Sequence, residues 1–293
     1  MDIVHHGVIA AAGMVALTVE GHVGPGVAFA AASVLPDADV AMMALGKRAY
    51  LKNHQAATHS IPFLIIMALA LGYLLQVEQT FAWNVPIAAF IGLLLHILLD
   101  LSNTYGIAVF WPISKKRFSL DAIFFIDTVA WGMTVSLSVL AYLLKASWVF
   151  YLLLPFMFLY VVFKYFLRLR VKSRLKCDYI IPEAFNPFGF FVVKSSPGSA
   201  ASYWYNALTG KESHRLDFPA PDALTLELAG KSQLYKDMQK VARCLYITDV
   251  QQTQDGTKVI ASDIAVRNFG GKFARTTLKF NQQGELISEA AEI

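Results

Sequence analysis

From residue 61 to residue 114 the chain carries two full charges, Glu78 and Asp100, in a run dominated by Leu, Ile, Ala and Phe. Such a run restricts folding severely, because ~20 consecutive apolar residues match the hydrocarbon thickness of a bilayer. Charge is equally scarce toward the N-terminus, where only Glu20, Asp37 and Asp39 fall between Asp2 and Lys47. Over all 293 residues, 56% are hydrophobic, 16% are charged, and the mean hydropathy is +0.49. A soluble domain is charged at about a quarter of its positions, so lipid is the expected solvent of the first half. From Asp178 onward the sequence reads as water-soluble.

Six apolar segments can be drawn, at residues 7–19, 24–35, 61–77, 85–101, 122–144 and 148–166. The last four approach or meet the lower limit of ~17 residues for a span. The first two are short and rich in Gly and Ala, which suits a closely packed hairpin or a tilted, partly inserted pair. Lipid offers backbone groups no partners, so helices are expected throughout. The expected fold is an all-α polytopic membrane helix bundle over residues 1–170, with about four to six transmembrane segments. A small α+β domain is expected over residues 178–293.

Orientation follows from the placement of Lys and Arg. Lys47, Arg48 and Lys52 lie between the second and third segments, and Lys115, Lys116 and Arg117 between the fourth and fifth. Arg168, Arg170, Lys172, Arg174 and Lys176 follow the sixth, and no acidic residue interrupts 128–177. If all six segments span, the three clusters share one side, which should be the cytoplasm. The connections through Glu20–His22 and Glu78–Gln79 then lie outside, and the C-terminal domain is cytoplasmic. The net charge of +4 reflects these loops and is not a nucleic-acid signal. The N-terminus lacks the basic region of a cleavable signal peptide, although Phe29–Ala32 resembles a cleavage site. Cys177 and Cys244 form neither a ligand spacing nor a disulfide framework.

In the C-terminal region, residues 189–194, 203–208, 246–252, 259–268 and 273–280 are strand candidates. Turns are expected at 209–211, 255–256, 270–271 and 283–284, and residues 233–245 read as an amphipathic helix. Nothing there resembles a catalytic constellation.

The residues able to carry chemistry lie in the apolar half: His6, His54, His59, His96 and, less firmly, His5, with Asp37, Asp39, Asp100 and Asp127. In the topology above each sits near the cytoplasmic end of a segment, where an ionisable group is costly unless paired, hydrated or metal-bound. His96 and Asp100 are four apart and share a helical face. Imidazole and carboxylate suit a zinc-like ion, although a hydrogen-bonded pair joining two helices would use the same residues. Asp37 and Asp39 do not share a helical face, so both point inward only if a turn aims them; a solvated turn is the plainer reading. Ser60 reads as an N-cap with Pro62 in the first turn, which leaves His54 and His59 in the entering loop. Asp127 is expected a turn inside the fifth segment, and Asn103 one turn beyond Asp100. Metal sites on facing helices have this composition, and so do ion pathways.

These residues, with their surroundings, resemble the YdjM/YfhP-type bacterial inner-membrane proteins, described as metal-dependent hydrolases. The resemblance is carried by Met1–Asp2 through His6, Pro36-Asp37-Ala38-Asp39, Asn53-His54 and Thr58-His59-Ser60-Ile61-Pro62. It continues through His96 to Asp100, Asn103-Thr104-Tyr105-Gly106, Trp111-Pro112-Ile113-Ser114-Lys115-Lys116 and Asp127, over roughly residues 1–135. Where that family reads His-Arg-Gly-x-Thr-His-Ser, this chain has His54-Gln55-Ala56-Ala57-Thr58-His59-Ser60, so the Arg and Gly are missing. The resemblance implies one or two divalent ions, zinc first, held by His6, Asp37, His59, His96 and Asp100. Asp39 or His54 would complete the shell or act as base, with Asn103 and Asp127 around them. It implies hydrolysis in the bacterial inner membrane, and the location suggests a lipid or other amphiphilic ester or phosphodiester. A metal-stabilised scaffold or transporter, with a partner-binding cytoplasmic domain, is the alternative.

Overall fold

The computed structural model describes residues 2–46, 50, 53–75, 83–196, 199–265 and 274–292. Two compact units result. One comprises Met1–Ala41, Asn53–Phe166 and Glu183–Pro187; the other comprises Met42–Lys52, Leu167–Pro182 and Phe188–Ile293.

The described elements of the first unit are helical: α1 (Ile3–Val19), α2 (Val23–Val34), α3 (Ile61–Leu74), α4 (Asn84–Ser102), α5 (Thr128–Leu144) and the short α6 (Trp148–Tyr151). α7 (Leu153–Leu175) follows and carries the basic run in its last turns. Asp2 caps α1 by accepting the His5 amide at 3.0 Å. α1 and α2 form the expected hairpin, and small residues make it tight. A Cβ on Gly13 would stand 2.2 Å from the ring of Phe29, and one on Gly92 of α4 would stand 2.5 Å from the Phe29 carbonyl. Backbones approach this closely only where side chains are missing. α2 does not end at Val34 but tightens into a 3₁₀ helix, Leu35–Leu45.

Three helical stretches are long and apolar enough to cross a membrane: Val23–Leu45, Asn84–Ser102 and Trp148–Leu175. α1, α3 and α5 are apolar but shorter, at 17, 14 and 17 residues. At 1.5 Å per residue, 17 residues cover ~26 Å, short of a hydrocarbon core of ~30 Å. Length thus supports three spans among the described residues, and the further spans that would make four to six rest on the shorter helices α1, α3 and α5. The fifth segment differs too: residues 122–127 are not helical, and Asp127 is the N-cap of α5, not a residue inside it. The third segment's residues 76–77, Lys47, Arg48 and Lys52, and the Glu78–Gln79 connection lie outside the described residues.

The second unit contains two four-stranded antiparallel sheets, each a simple meander. The first joins β1 (Tyr179–Pro182), β2 (Gly189–Ser196), β3 (Ser199–Asn206) and β4 (Glu212–Pro219); the second joins β5 (Leu245–Thr253), β6 (Gly256–Asp263), β7 (Arg275–Asn281) and β8 (Leu286–Glu292). Phe190, Val192, Tyr203 and Tyr205 form the first core with Ile180 and with Val171 of α7. Val259, Ala261, Leu278 and Phe280 form the second, covered by Leu228 of α8 (Ala223–Lys231) and Tyr235 of α9 (Gln233–Val241). The expected helix 233–245 stops at Val241, because Leu245 already pairs with Asp263 in the second sheet. Strand β4 is exposed at nearly every position, so it lacks the alternation by which a half-buried strand is read. The Gly270–Gly271 turn and Phe273 lie outside the described residues.

Candidate metal centre

The imidazoles and carboxylates gather where α1 begins and where α2 and α4 end. His96 and Asp100 lie on one face of α4, both buried. The 3₁₀ continuation of α2 supplies Asp37. His59 closes a short 3₁₀ turn, Ala57–His59, directly before Ser60, whose hydroxyl accepts the Phe63 amide at 3.4 Å and caps α3. Asp37, His59, His96 and Asp100 each offer one ligand atom within 4.8 Å of the others. His59 Nε2 stands 3.0 Å from Asp100 Oδ2 and 3.2 Å from His96 Nε2. Asp37 Oδ1 is 3.9 Å from His59 Nε2 and 3.7 Å from His96 Nε2.

Hydrogen bonding determines which ring nitrogens face this point. His96 Nδ1 lies 2.7 Å from the Ser33 carbonyl oxygen, which only accepts, so Nδ1 bears the proton. Thr58 donates its hydroxyl proton to Asp39 Oδ2 at 3.1 Å and therefore accepts from His59 Nδ1 at 3.0 Å. In their neutral forms both rings turn bare Nε2 lone pairs toward each other and toward Asp37 and Asp100. Lone pairs and carboxylate oxygens this close repel one another unless a proton or a cation lies between them. Asp37 Oδ2 is also buried without a hydrogen-bond partner, and buried polar atoms in native structures are rarely left so. The donor set, two imidazoles and two carboxylates, suits a divalent ion of the zinc type.

Asp39, expected as base or ligand, faces away from this point. Its Oδ1 is 2.7 Å from His54 Nδ1, and its Oδ2 accepts the Gln55 amide at 2.7 Å besides the Thr58 hydroxyl. It therefore fixes the loop that presents His59, the role an outer carboxylate has around metal-bound histidines. The ring of His54 is 28% exposed, whereas that of His59 is fully buried. His6 stacks on His96 with ring centroids 3.8 Å apart, and its Nε2 lies 3.1 Å from Asp100 Oδ1. It thus braces His96 and Asp100 and stands outside the group of four. His5 turns the other way, to Thr134 at 2.8 Å and onto the Trp131 ring.

Asn103 and Asp127 make their hydrogen bonds elsewhere. The Asn103 side chain accepts from the amide and hydroxyl of Thr104, and its carbonyl accepts from Ser119. Asp127 accepts the Val129 and Ala130 amides and the Tyr160 hydroxyl, which ties α5 to α7. Contributors not foreseen are the Ser33 carbonyl, Thr58 and Gln55, whose side-chain amide donates to Asp100 Oδ2 at 3.3 Å. Arg117 donates to the His54 carbonyl at 2.6 Å. Gln55 and Thr58 lie inside the conspicuous 53–60 stretch, but a backbone carbonyl leaves no mark on a sequence.

YfhP, an uncharacterized protein of Bacillus subtilis (strain 168), is 30% identical over 100 residues, 33% of this chain. This chain spans 30% of that relative's length. No solved structure matches it. The family described as YdjM inner membrane protein matches residues 1–171, which include α1 to α6 and the whole His/Asp group. With three helices able to cross a bilayer and more than half its length matched, the chain is a membrane protein that belongs to the YdjM inner membrane protein family.

Proposed function

We propose that this chain is a multi-pass protein of the bacterial inner membrane and a metal-dependent hydrolase, its His/Asp centre and C-terminal domain facing the cytoplasm. The observation that carries this reading is the convergence of Asp37, His59, His96 and Asp100, with bare imidazole nitrogens and an unpartnered carboxylate oxygen, in a buried site. These four residues would hold one or two ions, zinc first, with His6 bracing Asp100. A divalent ion bound there would supply the Lewis acidity that brings the pKa of water toward ~7. Asp39 orients His54, whose ring is partly exposed and is the candidate base beside the group of four. A site at the membrane face suits a lipid or other amphiphilic ester or phosphodiester. The cytoplasmic orientation rests on the basic clusters sharing one side, which requires the shorter apolar helices α1, α3 and α5 to span as well.

One observation favours a second reading. All four ligand residues are buried, and a structural site closes its coordination where a catalytic one keeps a position open. A metal-stabilised scaffold or transporter would use the same residues. Metal analysis of full-length protein in mild detergent tests both readings. About one or two ions per chain are expected, lost in His96→Ala and Asp100→Ala, together with cleavage of a phospholipid or phosphodiester panel by the wild type. Metal without cleavage would favour the scaffold, metal-dependent ion flux in liposomes the transporter, and no bound metal at neutral pH would defeat the hydrolase. Cysteine accessibility at Glu20 and Lys115 tests the sidedness, with labelling from opposite faces expected.

A further inference from the structure

The loop between α4 and α5 is rigid at its base and apolar at its tip. At the base, the Ala108 amide donates to the Gln55 carbonyl at 3.0 Å, and the Ile61 amide donates to the Val109 carbonyl at 3.0 Å. Ile107 and Phe118 pair as an isolated antiparallel bridge, and Arg117 holds the carbonyls of His54 and Gly106. Beyond these anchors the chain turns through residues 109–114 and presents Phe110, Pro112 and Ile113 outward. Ile113 is 91% exposed, the largest value among the exposed large hydrophobic residues described.

Exposure of leucines on α3 or α7 is what a membrane helix requires, but Ile113 lies on no helix. An apolar tip on a pinned loop loses free energy in water, and its base has no slack to fold it back. The flanking charge is of one sign. Lys115 and Lys116 are exposed, Arg117 follows, and no carboxylate lies between Asp100 and Asp121. The Lys116 ammonium sits 5.4 Å over the Phe118 ring, and Phe118 meets Phe110 edge-on at 5.4 Å. An apolar wedge beside ammonium groups is the chemistry that enters the head-group layer of a negatively charged leaflet.

We infer that the Phe110–Lys116 tip is a lipid-docking element, with Ile113 and Phe110 seated among acyl chains and Lys115 and Lys116 on the phosphates of anionic lipid. Through Arg117 and Ala108, the same loop is bonded to the backbone of residues 54 and 55, in the stretch that leads to His59. The inference concerns binding and holds whether or not the centre turns over substrate.

The test uses the full chain in nanodiscs, with Cys177 and Cys244 replaced by Ser and Ile113→Cys carrying an environment-sensitive fluorophore. In discs containing phosphatidylglycerol, the label is expected to be blue-shifted, quenched by shallow doxyl lipid and shielded from iodide. In pure phosphatidylcholine discs the shielding should weaken. Lys115→Gln with Lys116→Gln should bring the anionic discs to the same weak level, roughly five-fold per lysine in the ratio of inserted to free label. Phe110→Cys, labelled the same way, repeats the measurement if Ile113→Cys expresses poorly. Iodide access that is equal in both lipids would overturn the inference. So would shielding that survives both the neutral lipid and the loss of the lysines, because protein and not lipid would then cover the tip.

Discussion

His96 Nδ1 donates to the carbonyl of Ser33 across 2.7 Å, and this bond turns the opposite nitrogen of the ring toward His59, Asp37 and Asp100, the candidate metal centre. The bond exists because α2 and α4 almost touch. One turn before His96 stands Gly92, where a Cβ would meet the Phe29 carbonyl at 2.5 Å and the Ser33 hydroxyl at 3.0 Å. The contact that packs two apolar helices is therefore also the contact that sets the tautomer of His96.

Gly92→Val should force the two helices apart, at a cost of ~1–3 kcal/mol typical of overpacking. Because the Ser33 bond lengthens with the gap, metal affinity should fall too. Gly132→Ala is the control: nothing lies within 4 Å of its Cβ position, and removing a helical glycine should add about 0.5–1 kcal/mol. Thermal unfolding in detergent, with metal content measured on the same samples, distinguishes the two. Wild-type stability and metal content in Gly92→Val would refute the coupling.

Asp39 touches the loop that presents His59 and not the group of four. Asp39→Asn should therefore weaken metal binding by ~10–100-fold, as expected for an outer partner, while stoichiometry at saturating metal is retained. Asp100→Ala should abolish stoichiometric binding outright. Competition with a chelator of known affinity measures the first, and elemental analysis the second. Equal losses in both variants would make Asp39 a direct ligand.

In the second unit, Asp263 accepts the amides of Arg243, Cys244 and Ala265 at 2.8, 3.1 and 3.0 Å. Asp263→Ala would leave three amides without this acceptor, each worth ~1–3 kcal/mol if buried and unmade. A loss of about 2–4 kcal/mol, read from denaturant unfolding in detergent, is expected once partial hydration is allowed for. Asp263→Asn retains one acceptor oxygen and should lose less.

Burial and the neighbouring Asp263 and Asp178 carboxylates push the Cys244 thiol up to about 12. Only the thiolate is nucleophilic, so at pH 7 Cys244 should alkylate far more slowly than an exposed thiol. Its rate should rise roughly ten-fold per pH unit until the protein unfolds, because the thiolate fraction grows ten-fold per unit below the pKa. Iodoacetamide labelling followed by mass spectrometry checks this. Fast labelling at neutral pH would show an accessible, unperturbed thiol.

The sequence by itself determined that lipid surrounds the first half and that helices fill it, since runs of Leu, Ile and Ala leave the backbone no other partner. It also marked the histidines and aspartates as unusual, because ionisable groups at membrane depth need a reason. The i,i+4 spacing placed His96 and Asp100 on one face, and the Ser60 cap placed His59 ahead of α3. Spacing along one chain says nothing, however, about which of several neighbouring side chains turns inward. Only the tertiary structure separated Asp37, which joins the centre, from Asp39, which holds His54, and His6, which braces Asp100, from His5, which packs on Trp131. Those choices depend on how far α2 winds into its 3₁₀ continuation and on how closely Gly13 and Gly92 let the helices approach. Both are set by contacts between residues distant in sequence. The polar strand β4 shows the same limit in the second unit: its place in the sheet comes from pairing with β3 and not from a pattern of its own.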